Sequence, residues 1–122
     1  MKTIKAYKKN VSDRGLFLGI VNFGNWEEIN YIETKAGQIR GGHYHKEATE
    51  LFYIIEGDIA IKVTDIKGKL IEEFNATNGS IFFFAPYEVH TFVCKSDCKW
   101  INVMSKRIND NSCDIYQHKN SE

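Results

Sequence analysis

Short runs of alternating apolar residues, each closed by a turn signal, leave this chain little choice but β-structure. The runs span residues 16–23, 29–34, 51–55, 59–64, 70–74, 81–84, 89–94 and 100–104. Their period is two, the spacing that sends successive side chains to opposite faces of a strand. Between them stand Gly24-Asn25, Ala36-Gly37, Gly57-Asp58, Lys67-Gly68, Asn78-Gly79 and Ser96-Asp97. Asn-Gly and Gly-Asp pairs supply the positive φ that tight hairpins need. Many short strands separated by such turns read as an all-β sandwich or barrel. No amphipathic helix of useful length competes. The single proline, Pro86, ends an apolar run, where a missing N–H does least harm. With 122 residues the chain has room for one core, so residues 1–122 read as a single domain. From about Asn109 onward the sequence is polar and reads as a short terminal strand or a loose tail.

Charge and cysteine usage narrow the function classes. Sixteen basic and sixteen acidic residues cancel, so no electrostatic footprint for a nucleic acid polymer or an anionic membrane is present. Any anionic ligand must be met by a local cluster of positive groups. No apolar run reaches the length of a membrane span, and residues 1–9 lack the apolar core of a signal peptide. Cys94, Cys98 and Cys113 are an odd set, read as reduced thiols of a cytoplasmic protein. A zinc site built on Cys94 and Cys98 would need paired spacings that the chain lacks. A barrel this small has edge strands to cover, and a second copy is the simplest cover. A homodimer is therefore expected, with residues 1–9 reaching across to the partner.

The stretch richest in chemistry runs from Gly37 through His43, His45 and Glu50 to Gly57. His43 and His45 are two apart, so on a strand both imidazoles point to one face while Tyr44 points away. Glu50 lies five residues beyond His45, and an unbroken strand would turn it to the opposite face. A bend through residues 46–49 brings it back beside the histidines. His90, on a later strand, can complete the group from across a barrel. A bare H-x-H on a strand is most often a pair of surface histidines. Here three of the chain's four histidines, a spaced glutamate and a flanking glycine at each end fall into one pattern.

That pattern, Gly37-x5-His43-x-His45-x4-Glu50-x6-Gly57, resembles the first cupin motif at every fixed position. The second motif is matched loosely: Gly79, Pro86 and His90 are present, but Gly79 to Pro86 is one residue long. Pro86 to His90 is one short, and Cys94 replaces the final Asn. The resemblance covers about residues 28–104. It implies a double-stranded β-helix, the cupin or jelly-roll barrel, with His43, His45, Glu50 and His90 as ligands of one divalent metal ion. Three imidazoles and a carboxylate suit zinc, manganese, iron or nickel.

A narrower likeness rests on Asp13-Arg14-Gly15, Ile29-Asn30-Tyr31-Ile32, Arg40-Gly-Gly-His43-Tyr-His45-Lys46 and Ser96-Asp97-Cys98. These segments resemble the sugar-modifying cupins of polysaccharide biosynthesis, among them the dTDP-4-keto-6-deoxyhexose 3,4-ketoisomerases. The likeness implies an isomerase or epimerase of a nucleotide sugar, with His43 and His45 as the catalytic acid–base pair and no metal required. Moving a carbonyl along a sugar requires a proton to leave one carbon and another to arrive next door, work suited to histidine near neutral pH. Arg40, Tyr31 and Lys46 are the candidate substrate-binding residues: Arg40 and Lys46 for phosphate or oxyanion, Tyr31 for stacking on a sugar or base. Those ketoisomerases commonly carry Gln where this chain has Glu50, a departure that restores an acidic ligand. Two other readings therefore stand beside the first. One is a metal-dependent cupin enzyme of another class, such as a dioxygenase; the other is a non-catalytic sugar-binding cupin. Trp100 and Tyr53 read as packing residues, Cys94 as an apolar residue lining the pocket beside His90, and His118 as an inert part of the tail.

Overall fold

In the computed structural model, which describes residues 1–108 and 113–117, the alternating runs pair into two antiparallel five-stranded sheets. In chain order the strands are β1 (Lys2–Ile4), β2 (Lys8–Ser12), β3 (Gly15–Gly19), β4 (Glu28–Thr34), β5 (Ile39–Tyr44) and β6 (Glu50–Glu56). They continue as β7 (Ile59–Thr64), β8 (Leu70–Ala76), β9 (Ile81–Phe84), β10 (Val89–Cys94), β11 (Cys98–Met104) and β12 (Tyr116–Gln117). One sheet has the order β1-β9-β6-β11-β4, the other β12-β5-β10-β7-β8, and β2 with β3 forms a separate hairpin. The described residues contain no helix, and none long and apolar enough to cross a membrane. This is the all-β cupin jelly-roll that the sequence implies.

Three of the runs, at 59–64, 81–84 and 89–94, coincide with strands. The run at 16–23 stops short at Gly19, where the Tyr7 ring covers the glycine so closely that a Cβ could not fit. β1 and β2 carry no readable alternation: every residue of β2 is exposed, and the hairpin partner β3 alone holds it. Lys2–Ile4 extends the barrel of its own chain by pairing with β9, Lys2 opposite Phe83. The terminal strand is real: Tyr116 and Gln117 pair with Tyr44 and His43. His118 lies outside the described residues.

The two sheets face each other across a core layered along the barrel axis. On β10 the inward residues are His90, Phe92 and Cys94; on β11 they are Met104, Asn102, Trp100 and Cys98; on β6 they are Glu50, Phe52 and Ile54. His90, Asn102 and Glu50 thus form a polar layer with aromatic and then smaller apolar groups below it. The Phe52 ring sits 5.0 Å from Phe92 across the barrel, and Phe92 sits 5.4 Å from Trp100. Phe82 and Phe84, opposite Phe52 and Glu50 on β6, are fully buried, whereas Phe83 points to the other face of the sheet. Truncating a ring of this kind to alanine costs about 3–5 kcal/mol. Cys94 shares the His90 face, as expected, but lies two layers deeper beside Cys98 and does not line the pocket.

A bulge in β5 sets the register of the polar end. His90 stands opposite His43 and Thr91 opposite Gly41, which leaves Gly42 as the extra residue. Gly41 and Gly42 have φ of 103° and 74°, values that L side chains rarely adopt. A Cβ on Gly41 would also run into the His90 carbonyl oxygen. Two glycines before His43 are therefore what allows its imidazole to meet that of His90. Gly37 also has a positive φ, 87°, but open space around it. In denaturant titrations, Gly41→Ala should cost about 2–4 kcal/mol and Gly37→Ala about 1 kcal/mol, the difference reporting the blocked contact.

Candidate active site

Four chains of local cause bring His43, His45, Glu50 and His90 together. His43 is the last residue but one of β5, just after the bulge, facing inward with His90. His45 follows one residue beyond β5, where residues 46–49 bend, and Tyr87 N–H donates to its carbonyl at 2.7 Å. Glu50 opens β6 two residues before Phe52, so the barrel's own alternation turns its carboxylate inward. The ligand-type atoms of all four lie within 4.8 Å of one another. His45 Nε2 is 2.9 Å from Glu50 Oε1, and His90 Nε2 is 3.1 Å from the same oxygen. The second approach is out of line for a hydrogen bond, so His90 Nε2 is a buried nitrogen without one. Phe84 stacks on the His90 ring at 4.3 Å and fixes its plane.

The outer ring nitrogens are tied back to the main chain. His45 Nδ1 is hydrogen-bonded to the Asp114 carbonyl, and His90 Nδ1 lies 3.3 Å from the Glu88 carbonyl. His43 has a backbone hydrogen bond to Gly41. A carbonyl only accepts, so His45 Nδ1 carries a proton. Its Nε2 also faces an acceptor, the Glu50 carboxylate, so a second proton or a cation must lie between them. Glu50 Oε2 accepts a hydrogen bond from Asn102 Nδ2 at 2.7 Å, and Asn30 Nδ2 donates to Asn102 Oδ1 at 2.9 Å. This amide pair orients the carboxylate so that Oε1 faces the histidines.

The surroundings split the imidazoles electrostatically. Burial, reinforced by the neighbouring His90, pushes His43 down to about 4, so it is neutral at physiological pH. Burial pulls His45 the same way, but its hydrogen bond to Glu50, the Glu50 charge and the Asp114 carbonyl outweigh this and raise it. Burial would raise Glu50, yet the hydrogen bond from His45 and the close approach of the His90 imidazole hold it well below the usual carboxylate range. The result is an ionised carboxylate that favours the protonated form of His45, with a neutral His43 next to them.

A pocket of about 140 Å³ opens over this group. Its apolar wall is Ile32, Phe52, Phe92 and Trp100, and its polar side is Arg40, His43, Glu50, His90 and Asn102. Arg40 Nε donates to Thr34 Oγ1 at 2.8 Å and Nη2 to the Glu33 carbonyl at 3.1 Å, which points the guanidinium along the rim. His45 lies behind the lining rather than in it. Tyr31 is not brought to the pocket: it stands on the outer face of β4, its hydroxyl donating to Glu33 at 2.6 Å. Lys46 is not brought there either, its Nζ lying 4.1 Å above the Tyr116 ring on the outside of the barrel. Asn102 and Asp114 are the site residues that sequence reasoning missed. Asn102 could have been found, since it sits at an inward position two residues from Trp100. For Asp114, in a polar stretch, no such signal exists.

A barrel of two jelly-roll sheets with three histidines and a glutamate converging at one end defines a cupin. Residues 10–105 match the family model described as the polysaccharide biosynthesis C-terminal domain, and the chain belongs to that family. No curated protein sequence matches it. Among solved structures it is similar to the capsular polysaccharide assembling protein CapF of Staphylococcus aureus, at 20% identity and a TM-score of 0.69. That likeness covers 90% of this chain and 33% of CapF, so the chain spans about a third of CapF's length. It is similar also to the QdtA 3,4-ketoisomerase of Thermoanaerobacterium thermosaccharolyticum in complex with TDP, at 15% identity and TM-score 0.76, over 95% and 86% of the two chains. A dTDP-4-dehydrorhamnose 3,5-epimerase from Sulfolobus tokodaii shares 19% identity at TM-score 0.71, over 87% and 70%. At these identities the likeness is one of fold.

The charge pattern makes stability depend on pH in a calculable direction. An unfolded His43 takes its proton near 6.5, but the folded one resists until about 4, so acidification through that window favours unfolding. Glu50 adds a loss at still lower pH, because its folded value lies below its unfolded one. His45 works oppositely: its contribution is complete below 6.5 and fades as pH rises through its elevated folded value. In metal-free protein, denaturant titrations between pH 7 and 4 should show His43→Asn losing about 1–3 kcal/mol less than wild type. Parallel pH profiles for the two proteins would contradict the assigned burial of His43.

Proposed function

We propose that this cupin is an isomerase or epimerase of a nucleotide-linked 4-keto-6-deoxy hexose in surface polysaccharide biosynthesis. The observation that carries the reading is a neutral imidazole, His43, facing a pocket with an aromatic wall and a cationic rim. Family membership and a barrel shared with a ketoisomerase and an epimerase support it. The chemistry asks for a C–H beside the C4 carbonyl to lose its proton. Its electron pair then moves into an enediolate. For isomerisation the hydroxyl proton of that carbon passes to the C4 oxygen as a proton is added to C4; for epimerisation a proton returns to the same carbon from the opposite face. His43 accepts the first proton, having a free lone pair at neutral pH. His45 supplies the returning proton through Glu50, which lies between it and the pocket. Arg40 faces the developing oxyanion or the diphosphate with the N–H groups that Thr34 and Glu33 leave free. Phe92 and Trp100 exclude water from the reacting face. A nucleotide-sugar substrate and unpaired thiols at Cys94, Cys98 and Cys113 agree with a cytoplasmic protein.

A second reading is favoured by the orphaned His90 Nε2 and by the acceptor facing His45 Nε2. Histidines whose outer nitrogens are tied to backbone carbonyls are typical of metal ligands. The donor set fits one divalent ion of zinc, manganese, iron or nickel, which His43, His45, Glu50 and His90 would hold. Such an ion would supply Lewis-acid stabilisation of an enolate oxygen, and His43 would then be a ligand rather than the base.

Isotope exchange on chelated protein separates the readings. In deuterated water with a dTDP- or UDP-4-keto sugar, chelated wild type should wash deuterium into the carbon next to the carbonyl. His43→Asn should lose a factor of about 10²–10⁴ in turnover while still binding the nucleotide. Exchange that returns only with added metal would favour the metal reading. Absence of exchange under every condition would leave a sugar-binding cupin.

The proposal includes a homodimer. Edge strands β4 and β8 leave Ile29, Tyr31, Leu70 and Ile71 exposed, an arrangement a second copy would cover. Light scattering should give twice the chain mass, and a monomer mass across a wide concentration range would remove this part of the proposal.

A further inference from the structure

Behind the tetrad lies a buried carboxylate that the proposed chemistry does not use. Asp114 is 7% exposed, although the segment that carries it is polar. Its Oδ1 accepts from Lys46 N at 2.8 Å, and its Oδ2 accepts from Glu47 N at 2.9 Å and Ala48 N at 2.8 Å. Three successive backbone N–H groups thus wrap one carboxylate, a nest of the kind that binds anions. These residues are the bend that returns the chain from His45 to Glu50. The backbone carbonyl of the same aspartate takes the Nδ1 proton of His45. One residue therefore grips the loop between two members of the tetrad and one of the rings as well. Its neighbours hold it in place. Tyr116 and Gln117 pair with Tyr44 and His43, Gln117 Nε2 donates to the Gly42 carbonyl at 3.2 Å, and Tyr116 stacks on Tyr44 at 5.6 Å.

We propose that Asp114 is a positioning residue: its carboxylate clamps residues 46–48 so that its own carbonyl fixes the tautomer and ring angle of His45. The segment 113–117 is then part of the site, although it touches neither pocket nor substrate. The inference rests on reading the tetrad as the functional centre, and it holds whether His45 serves a proton or a metal ion. Removing the side chain frees the three N–H groups, lets the segment drift, and leaves Nδ1 without its acceptor. His45 can then rotate or exchange tautomers, and its Nε2 no longer points steadily at Glu50.

The test uses full-length wild type, Asp114→Ala, Asp114→Asn and the core variant Ile61→Val, whose loss of stability comes from elsewhere in the barrel. Asparagine keeps one accepting oxygen, so its effect should be smaller than that of alanine, and it guards against a variant that fails to fold. Nitrogen-15 spectra of metal-free protein read the protonated nitrogen of each histidine directly. Wild type and Ile61→Val should show a protected Nδ1–H at His45. Asp114→Ala should lose that protection, with His43 and His90 unchanged. Cobalt(II) titration, followed by its visible spectrum, should show affinity lowered by about 10–100-fold in Asp114→Ala and less in Asp114→Asn. A His45 Nδ1–H that persists unchanged in Asp114→Ala would overturn the proposal, as would equal losses in Ile61→Val. Should wild type bind no cobalt, the metal reading fails by itself, and the nitrogen spectra alone decide the role of Asp114.

Discussion

An ionised carboxylate placed on the same inward strand face as Phe52 and Ile54 costs several kcal/mol to desolvate unless other groups replace water around it. Glu50 is that carboxylate, 6% exposed, and the open end of the barrel is built to satisfy it. His45 and His90 approach one oxygen and Asn102 donates to the other. Asn102 is itself held by Asn30, from the edge strand β4. On the other side, His45 is held by Asp114, which also closes the loop that made Glu50 turn inward. The pocket, the charge pattern and the docking of residues 113–117 follow from this one buried charge.

The barrel confines that charge to one end by packing. Along β6, β10 and β11 the inward positions pass from Glu50, His90 and Asn102 to an aromatic layer and then to an aliphatic or thiol one. The aromatic layer also orients the polar one, as when Phe84 lies flat against His90. Within this frame, the affinities of two imidazoles from one short segment for a proton are pushed in opposite directions. His43 faces the pocket with burial as its dominant influence, whereas His45 sits against a carboxylate and a carbonyl. Pairs of titratable groups pushed apart by environment are how one site holds a base and an acid together. This division of labour underlies the proposed proton transfer.

Much of this was legible in the residue order, and the reasons differ by element. β7 alternates cleanly because one face of it is buried, while β9 and β10 are short apolar runs closed by turn signals, so the limits of all three could be read directly. β1 and β2 could not be read, because β1 is three residues long and β2 is exposed throughout; each exists only because a partner strand supplies its hydrogen bonds. The spacing of His43, His45 and Glu50 signalled a shared site, including the bend between them. Tyr31 and Lys46 were picked for chemistry alone; strand parity put Tyr31 outside the barrel, and the bend after His45 turned Lys46 towards Tyr116. Cys94 was correctly placed on the His90 face, but parity says nothing of depth, and it fell below the aromatic layer.

What the sequence determined by itself was periodic and local: strands, turns, a bulge-permitting glycine pair, and a histidine spacing that puts two rings on one face. These follow from the geometry of a pleated chain, which any stretch of a few residues expresses. What only the tertiary structure decided was which distant segments meet. Asn102 reaches Glu50 across 52 positions, and Asp114 reaches Ala48 across 66. Neither contact leaves a periodic trace, because a hydrogen bond to a carboxylate or a backbone N–H asks only for a donor or acceptor at the right place. The protonation of each histidine was likewise decided there, since burial and neighbouring charge are properties of the assembled barrel and not of the residue.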